Sequence, residues 1–501
     1  MNEEAQATPR SNGALKTVAA LAILALLVAG VVGATGRRAQ HDLGWPDEWI
    51  YLTLARNLTE KGSLNTNFYI ASSIQAIGYP HRDVHLPGYA LALAAVGSFT
   101  GVSLDSAVGL NVLCFAITVF ATLLLARRFL SPGRSLIAAS CAALVPPYAG
   151  YLWVVYPEHV TAAALLVLIA MAAWIERASF TVLLGAAFGA SLLFRETLLL
   201  SFPVFAFLLG PRRTLRLFLP GLALAVVLVV APLSKQRAIH PNALYPSAVT
   251  EALATSEPLT HLTHTVLRNV QANVGFLIAS DPLRSAEDAV LLFLLGLALL
   301  GGIASLGVEG RARGFLNASA LATAVLFAAM LVLYVVRERG GVWGGVRALM
   351  PMAPLLLIGL CGLRVGRAFG ADLLTALISL SLFLTSWQIA FFNRYKGINL
   401  EDQTRASRFI DDRTRRFAPR RIVGGRYFQY GFEHFPVEVV WRGPEDMRGL
   451  DALYLKFPFD FVIVHRRDPL RFDLRKDARY EWTNAFEGQA AEYQVYRRAE
   501  R

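Results

Sequence analysis

Ionisable side chains next to long apolar runs are the first candidates for chemistry in this chain. A charge beside hydrocarbon is costly, and such residues mark functional sites by default. Six groups qualify. The first is Trp45-Pro46-Asp47-Glu48-Trp49-Ile50-Tyr51, just after the first apolar run. One of its adjacent acids would suit a general base and the other an orienting or metal-binding group. Equally, Pro46 followed by two acids is an ordinary helix start, because acids there complement the helix dipole. The second is His81-Arg82-Asp83-Val84-His85-Leu86-Pro87-Gly88. Two histidines and an acid could ligate a divalent ion, although the spacing matches no strong metal motif and also suits a solvated loop. The third and fourth are Tyr156-Pro157-Glu158-His159 and Phe194-Arg195-Glu196-Thr197. In the fourth, the neighbouring Arg and Glu could simply neutralise each other. The fifth is the basic loop 234–287, with Lys235 and Arg237. The sixth is Arg337-Glu338-Arg339-Gly340-Gly341-Val342-Trp343-Gly344-Gly345-Val346-Arg347. Its arginines could clamp a phosphate, or the segment is an external hairpin.

The elements that must position these groups are hydrophobic helices. Of 501 residues, 55% are hydrophobic and 17% charged, against roughly 25% charged in soluble domains. Residues 17–36 carry no charge, and about 20 residues span the ~30 Å hydrocarbon core as a helix. In lipid the backbone must pair within its own segment, so such runs are helical. The sequence predicts about eleven spans: 17–36, 106–126, 135–152, 159–175, 180–194, 197–210, 217–233, 288–308, 315–336, 348–363 and 369–391. The first reads as a retained anchor, being longer than a signal-peptide core. Residues 86–100 are apolar but short and read as an interfacial helix lying on the outer surface. The expected fold is an all-α polytopic membrane bundle over 1–391, with an outer loop at 37–105, followed by a small extracytoplasmic α/β domain at 392–501. In that tail, 421–425, 437–441 and 461–465 read as buried strands, with helical potential at 426–435 and 445–456.

Charge sets the orientation. Arg127, Arg128 and Arg134, Arg177, Arg212, Arg213 and Arg216, Arg311 and Arg313, and Arg364 and Arg367 fall in alternate short loops, which the positive-inside rule makes cytoplasmic. The N-terminus is then cytoplasmic and the tail outside. The net charge of +12 follows from these loops and the basic tail, not from a nucleic-acid partner. Cys114, Cys141 and Cys361 all lie in apolar runs, as small core residues. All six polar groups fall on the outer face, beside an apolar bundle. That arrangement suits a substrate with an anionic head and a lipid tail.

The order of these motifs resembles the membrane glycosyltransferases of the GT-C superfamily, in particular the protein O-mannosyltransferase and aminoarabinose-transferase branch. Asp47-Glu48 follows the first span, with Tyr51 and Ala55-Arg56 after it. His85-Leu86-Pro87-Gly88 stands where the branch has a His-Pro-Pro-Leu-like element. Glu158 lies at the outer end of the third span. Arg347-Ala348-Leu349-Met350-Pro351 with Pro354 resembles the branch's Arg-Tyr-Leu-Leu-Pro approach to a late span. In layout the resemblance covers roughly residues 15–365. It implies an inverting glycosyltransferase that moves a sugar from a polyprenyl-phosphate carrier to a glycan, lipid or protein acceptor outside the cytoplasmic membrane. Asp47 would be the general base and Glu48 would orient the site. Arg347, Arg337 and Lys235, with Arg195 behind them, would contact the donor phosphate, and His85 and Tyr51 would contact the substrates. Glu158 and His85 would contact the acceptor or hold a divalent metal ion if one is used, since superfamily members differ in this. No Trp-Trp-Asp-type motif occurs in the tail, which favours a monosaccharide-phosphate donor over a diphosphate-linked oligosaccharide. The rival reading is a lipid-linked sugar flippase without chemistry. Transporters usually place their charges near the bilayer midplane on repeated halves, and here the charges lie at one face without an internal repeat.

Overall fold

Proline placement explains much of how the apolar sequence breaks into helices. The structure is a computed structural model that describes residues 11–36, 46–66, 68–70, 87–174, 180–225, 310–333, 349–362, 420–424, 437–441, 447–465, 477–483 and 493–498, with isolated positions between them. In chain order the bundle comprises α1 (Ser11–Gly36), α2 (Pro46–Lys61), α3 (Gly88–Thr100), α4 (Leu104–Ala126), α5 (Pro132–Ala143), α6 (Pro146–Tyr151), α7 (Glu158–Trp174), α8 (Phe180–Ser191), α9 (Phe202–Leu209), α10 (Pro211–Ala225), α11 (Gly310–Leu333) and α12 (Ala353–Cys361). Helices α2, α5, α6 and α10 begin on a proline, which has no N–H to leave orphaned in a first turn.

The same property corrects the sequence reading of 135–152 as one span. Pro146 cannot donate to an i−4 carbonyl, so α5 stops at Ala143. The chain turns at Leu144 and Val145 and restarts as the short α6. Similarly, 197–210 is a 3₁₀ turn (Glu196–Ser201) followed by α9, with Pro203 in the first turn of α9. The run from 348 opens as the 3₁₀ turn Met350–Met352 before α12. Among the described residues, two helices are long and apolar enough to cross a membrane, Thr17–Thr35 and Leu104–Ala126, and shorter apolar helices accompany them. The expected spans 288–308 and 369–391 lie outside the described residues.

Local chemistry fixes several junctions. Ser103 and Ser106 cap the start of α4 reciprocally, each side chain accepting the other's backbone N–H. Gly101 ends α3 at φ +79°, a left-handed conformation that disfavours other residues. The corner it makes is tied to α2 by Arg56, whose guanidinium donates to the Val102 carbonyl at 3.4 Å. Within the apolar α4, the hydroxyls of Thr118 and Thr122 donate to carbonyls one turn back, at 2.9 and 2.7 Å, so neither is buried unpaired. Cys114, Cys141 and Cys361 are buried and unbridged.

A six-stranded sheet accompanies the bundle. Its strands are β1 (Phe68–Ile70), β2 (Arg420–Gly424), β3 (Val437–Trp441), β4 (Phe461–His465), β5 (Tyr480–Thr483) and β6 (Tyr493–Arg498), in the order β1-β3-β2-β4-β6-β5. The first four in that order pair in parallel, and β6 and β5 close the sheet antiparallel. Residues alternate between two cores, as strand pleating requires. Ile422, Phe461 and Ile463 join the core of the bundle. Val423 and Val462 pack instead with Leu450 and Leu453 of α13 (Met447–Lys456). The three strands read from the sequence therefore occupy their expected positions. β1 was not anticipated. It belongs to the loop after α2 and pairs Phe68 with Val439 and Ile70 with Trp441. Side chains of α2 steer the chain towards it: Asn57 donates to the Asn65 carbonyl at 2.6 Å, and the Thr53 and Thr66 hydroxyls share a hydrogen bond at 3.2 Å.

Candidate active site

The buried charges of the bundle converge at the start of α2. Glu48 lies in the first turn of α2 and is fully buried. Its Oε2 accepts the N–H of Val155 at 3.0 Å. Val155 belongs to the loop between α6 and α7, and that loop ends at Glu158, the first residue of α7. A carboxylate at a helix start is favoured by the helix dipole. Glu158 is also buried, and its Oε1 accepts a hydrogen bond from Nη2 of Arg195, which is 22% exposed. The pair thus has a dry acid and a half-wet guanidinium. Arg195 therefore pairs across the bundle with Glu158. Neutralisation by its neighbour Glu196 is not needed to account for it.

Helix α3 closes the other side. The Tyr51 and Tyr89 rings meet edge to face at 5.2 Å, and Tyr89 lies within electrostatic range of both Glu158 and Glu48. Gly88 donates its N–H to the Leu193 carbonyl at 3.0 Å, two residues before Arg195. This contact accounts for the glycine of His85-Leu86-Pro87-Gly88. A Cβ at Gly88 would lie 2.5 Å from the Leu193 carbonyl carbon and 2.7 Å from the Phe194 nitrogen. Gly88→Ala should therefore push α3 off the turn that carries Arg195. The expected cost is about 1–3 kcal/mol, typical of overpacking, read as a lower thermal midpoint in detergent. Gly109→Ala, a helix-interior glycine with open space around it, should shift the midpoint the other way, by about 0.5–1 kcal/mol. Equal shifts for both would refute the steric account.

Of the residues singled out in the sequence, the structure brings together Glu48, Tyr51, Glu158 and Arg195. Asp47 falls in the first turn of α2, next to Glu48. His85, Lys235, Arg337 and Arg347 lie outside the described residues. Met350, three residues beyond Arg347, is held against α6, where the Tyr148 hydroxyl donates to its carbonyl at 3.1 Å. His159 packs its ring against Phe115 and Tyr148, with centroids at 5.9 and 5.7 Å. Among the described residues no three His, Cys, Asp or Glu side chains gather as a metal cluster. Glu158, which the sequence offered as a metal ligand together with His85, carries the Arg195 guanidinium on its Oε1. One site residue went unread in the sequence. Asn111, about two turns into α4, is fully buried and bonds to both Tyr89 and the α6–α7 loop. A lone Asn in an apolar span was the available signal.

Comparison with known proteins agrees with this architecture. Residues 84–234 match the family model described as dolichyl-phosphate-mannose-protein mannosyltransferase. ArnT from Cupriavidus metallidurans, solved bound to undecaprenyl phosphate, aligns over 95% of this chain and 98% of its own at 11% identity, with a TM-score of 0.56. The archaeal oligosaccharyltransferase AglB from Archaeoglobus fulgidus, solved with an inhibitory peptide and a dolichol-phosphate, aligns over 89% of this chain and 69% of its own at 12% identity, with a TM-score of 0.54. A second structure of the Archaeoglobus fulgidus enzyme, in complex with Zn and sulfate, aligns at 11% identity over 89% of this chain and 68% of its own, with a TM-score of 0.50. No curated protein matches the chain in sequence. The chain thus shares its fold with ArnT and AglB. Within it, the segment from Val84 through α10 carries the similarity to the protein mannosyltransferase model, in line with the resemblance seen in the motifs.

Proposed function

We propose that this protein is an inverting glycosyltransferase. It would move a monosaccharide from a polyprenyl-phosphate carrier to a glycan, lipid or protein acceptor on the outer face of the cytoplasmic membrane. The observation that carries this reading is the buried Glu158–Arg195 pair held next to the acidic start of α2, at one end of an apolar bundle. A cation kept partly exposed there is available to an anionic headgroup, while the surrounding helices suit a lipid tail. The similarity to proteins solved with undecaprenyl phosphate and dolichol-phosphate supports the same carrier class.

In this mechanism Asp47 takes the proton of the acceptor hydroxyl or amine as its heteroatom attacks the anomeric carbon. The bond from that carbon to the phosphate oxygen breaks, and the phosphate leaves with the electron pair from the opposite face. Preorganised cations accelerate the step because charge grows on the leaving oxygen in the transition state. Arg195 fills this role with Arg347, Arg337 and Lys235, and His85 and Tyr51 contact the substrates. Glu48 holds the α6–α7 loop. A divalent ion on Glu158 and His85 would supply further charge stabilisation. Since Arg195 already engages Glu158, no step is assigned to a metal.

The test is lipid preference followed by turnover. The protein in nanodiscs should bind undecaprenyl phosphate about ten- to a hundredfold more tightly than undecaprenol, as one charge-assisted hydrogen-bonded contact of about 1.5–3 kcal/mol provides. Equal affinity for the two would reject a phosphate-linked donor. A flippase would share the preference, but only an enzyme releases free polyprenyl phosphate from the sugar-loaded carrier when acceptor is present.

A further inference from the structure

Asn111 sits where the bundle was expected to be plainly apolar, and its whole amide is committed to the site. Its Oδ1 accepts from the Tyr89 hydroxyl at 3.3 Å. Its Nδ2 donates to the carbonyls of Val154 at 2.7 Å and Leu152 at 3.3 Å. The following N–H, that of Val155, donates to Glu48. Side chains from α4 and α2 thus grip three nearby backbone groups of the α6–α7 loop, just before Glu158. The connections then close on themselves. Glu158 holds Arg195, the turn before Arg195 holds Gly88 through the Leu193 carbonyl, and Gly88 precedes Tyr89, which returns to Asn111. Every link is buried or partly buried, where a hydrogen bond is both stronger and harder to replace with water.

We propose that Asn111 is a positioning residue for donor-phosphate recognition: by clamping the α6–α7 loop to α3 it fixes the Glu158–Arg195 pair, so that Arg195 is presented to the phosphate of the lipid carrier. The proposal rests on the donor class put forward above. Asparagine suits the position because one planar group must accept from Tyr89 and donate to two carbonyls. Aspartate would set an anion against both carbonyls. Leucine, of similar volume, would take the partner from the buried Tyr89 hydroxyl and the Leu152 carbonyl and leave the Val154 carbonyl only its bond from the Tyr156 N–H, at 2.8 Å. The bonds of Asn111 go to Tyr89 and to the loop that leads into Glu158, so Asn111 acts through that loop and not on the substrate.

The test uses the full-length protein in nanodiscs, the variants Asn111→Leu and Tyr89→Phe, and two probes, undecaprenyl phosphate and undecaprenol. In Asn111→Leu, backbone amide exchange across 152–156 should quicken about tenfold or more, while α8 and α10 stay unchanged. Affinity for undecaprenyl phosphate should fall about tenfold, and affinity for undecaprenol should hold. A defect in general packing would weaken both lipids alike, and that outcome overturns the proposal. Tyr89→Phe removes only one of the three bonds and keeps the ring, so it should fold if Asn111→Leu does not, and should show a smaller loss in the same direction. An unchanged phosphate preference in the folded variants also overturns the proposal, while leaving the donor reading intact. A parent protein with no preference for the phosphate defeats the donor reading itself, and this proposal with it.

Discussion

An Asp47→Asn protein should insert and fold like the parent yet transfer sugar about 10²- to 10⁴-fold more slowly, the contribution typical of a general base. The size of the effect decides between the two readings of this residue. As an acid in the first turn of α2, Asp47 also interacts favourably with the helix dipole, but that interaction is worth about 0.3–1 kcal/mol at an exposed site. Losing it would lower the thermal midpoint slightly and leave turnover nearly intact. Its neighbour supplies the control. Glu48 accepts the Val155 N–H, and a glutamine can still accept that bond through its amide oxygen. Glu48→Gln should therefore be far milder than Asp47→Asn, whereas Glu48→Ala, which leaves the N–H unpaired, should loosen the loop and reduce both stability and transfer. Transfer from a polyprenyl-phosphate donor in liposomes, measured beside the unfolding midpoint, checks all three. Full transfer by Asp47→Asn would remove it from the base role, and a Glu48→Gln defect as deep as that of Asp47→Asn would mean the two acids had been assigned the wrong way round.

How much of this was legible in the sequence depends on the range of the interactions involved. Strands β2 and β4 were visible because they are covered on both faces, by the bundle and by α13, as in the continuous apolar run Phe461-Val462-Ile463-Val464, and β3 was visible from its own run Val437-Glu438-Val439-Val440-Trp441. β5 and β6 lie on the antiparallel side of the sheet and carry Glu481, Arg497 and Arg498, which hid them. β1 is three residues long and gains its partner from the far end of the chain, so no local pattern could announce it. The helix breaks at Pro146 and Pro203 were stated by the prolines themselves but lost in windows long enough to detect a span. The site divides in the same way. Asp47, Glu48, Glu158 and Arg195 stood out because charge is rare in this chain. That Glu158 and Arg195 form a pair is a tertiary fact, and the adjacent Glu196 offered a simpler local partner. Asn111 carries no charge, so the rule that found the others passed over it.

The Glu158–Arg195 pair should show opposite behaviour in stability and in binding when it is dismantled in steps. Breaking a buried pair from one side typically costs about 3–5 kcal/mol, mostly because an uncompensated charge is left in a dry place. Here the two sides differ. Glu158 is almost fully buried and Arg195 is 22% exposed. Arg195→Met strands the carboxylate in the bundle and should approach that full cost. Glu158→Gln leaves a guanidinium that can turn towards water and keeps an acceptor for it, so it should cost clearly less. Replacing both removes the charges together, and an apolar substitute for an ion pair is often neutral or stabilising. The double variant should therefore regain most of the stability lost in Arg195→Met, a coupling that a double-mutant cycle reads directly from unfolding midpoints in detergent. Binding should not follow. If Arg195 meets the carrier phosphate, the double variant regains its fold without regaining its preference for undecaprenyl phosphate over undecaprenol, and Glu158→Gln alone keeps much of that preference. A double variant that recovers both stability and preference would reduce the pair to a structural staple, and the phosphate would have to be held by Lys235, Arg337 and Arg347.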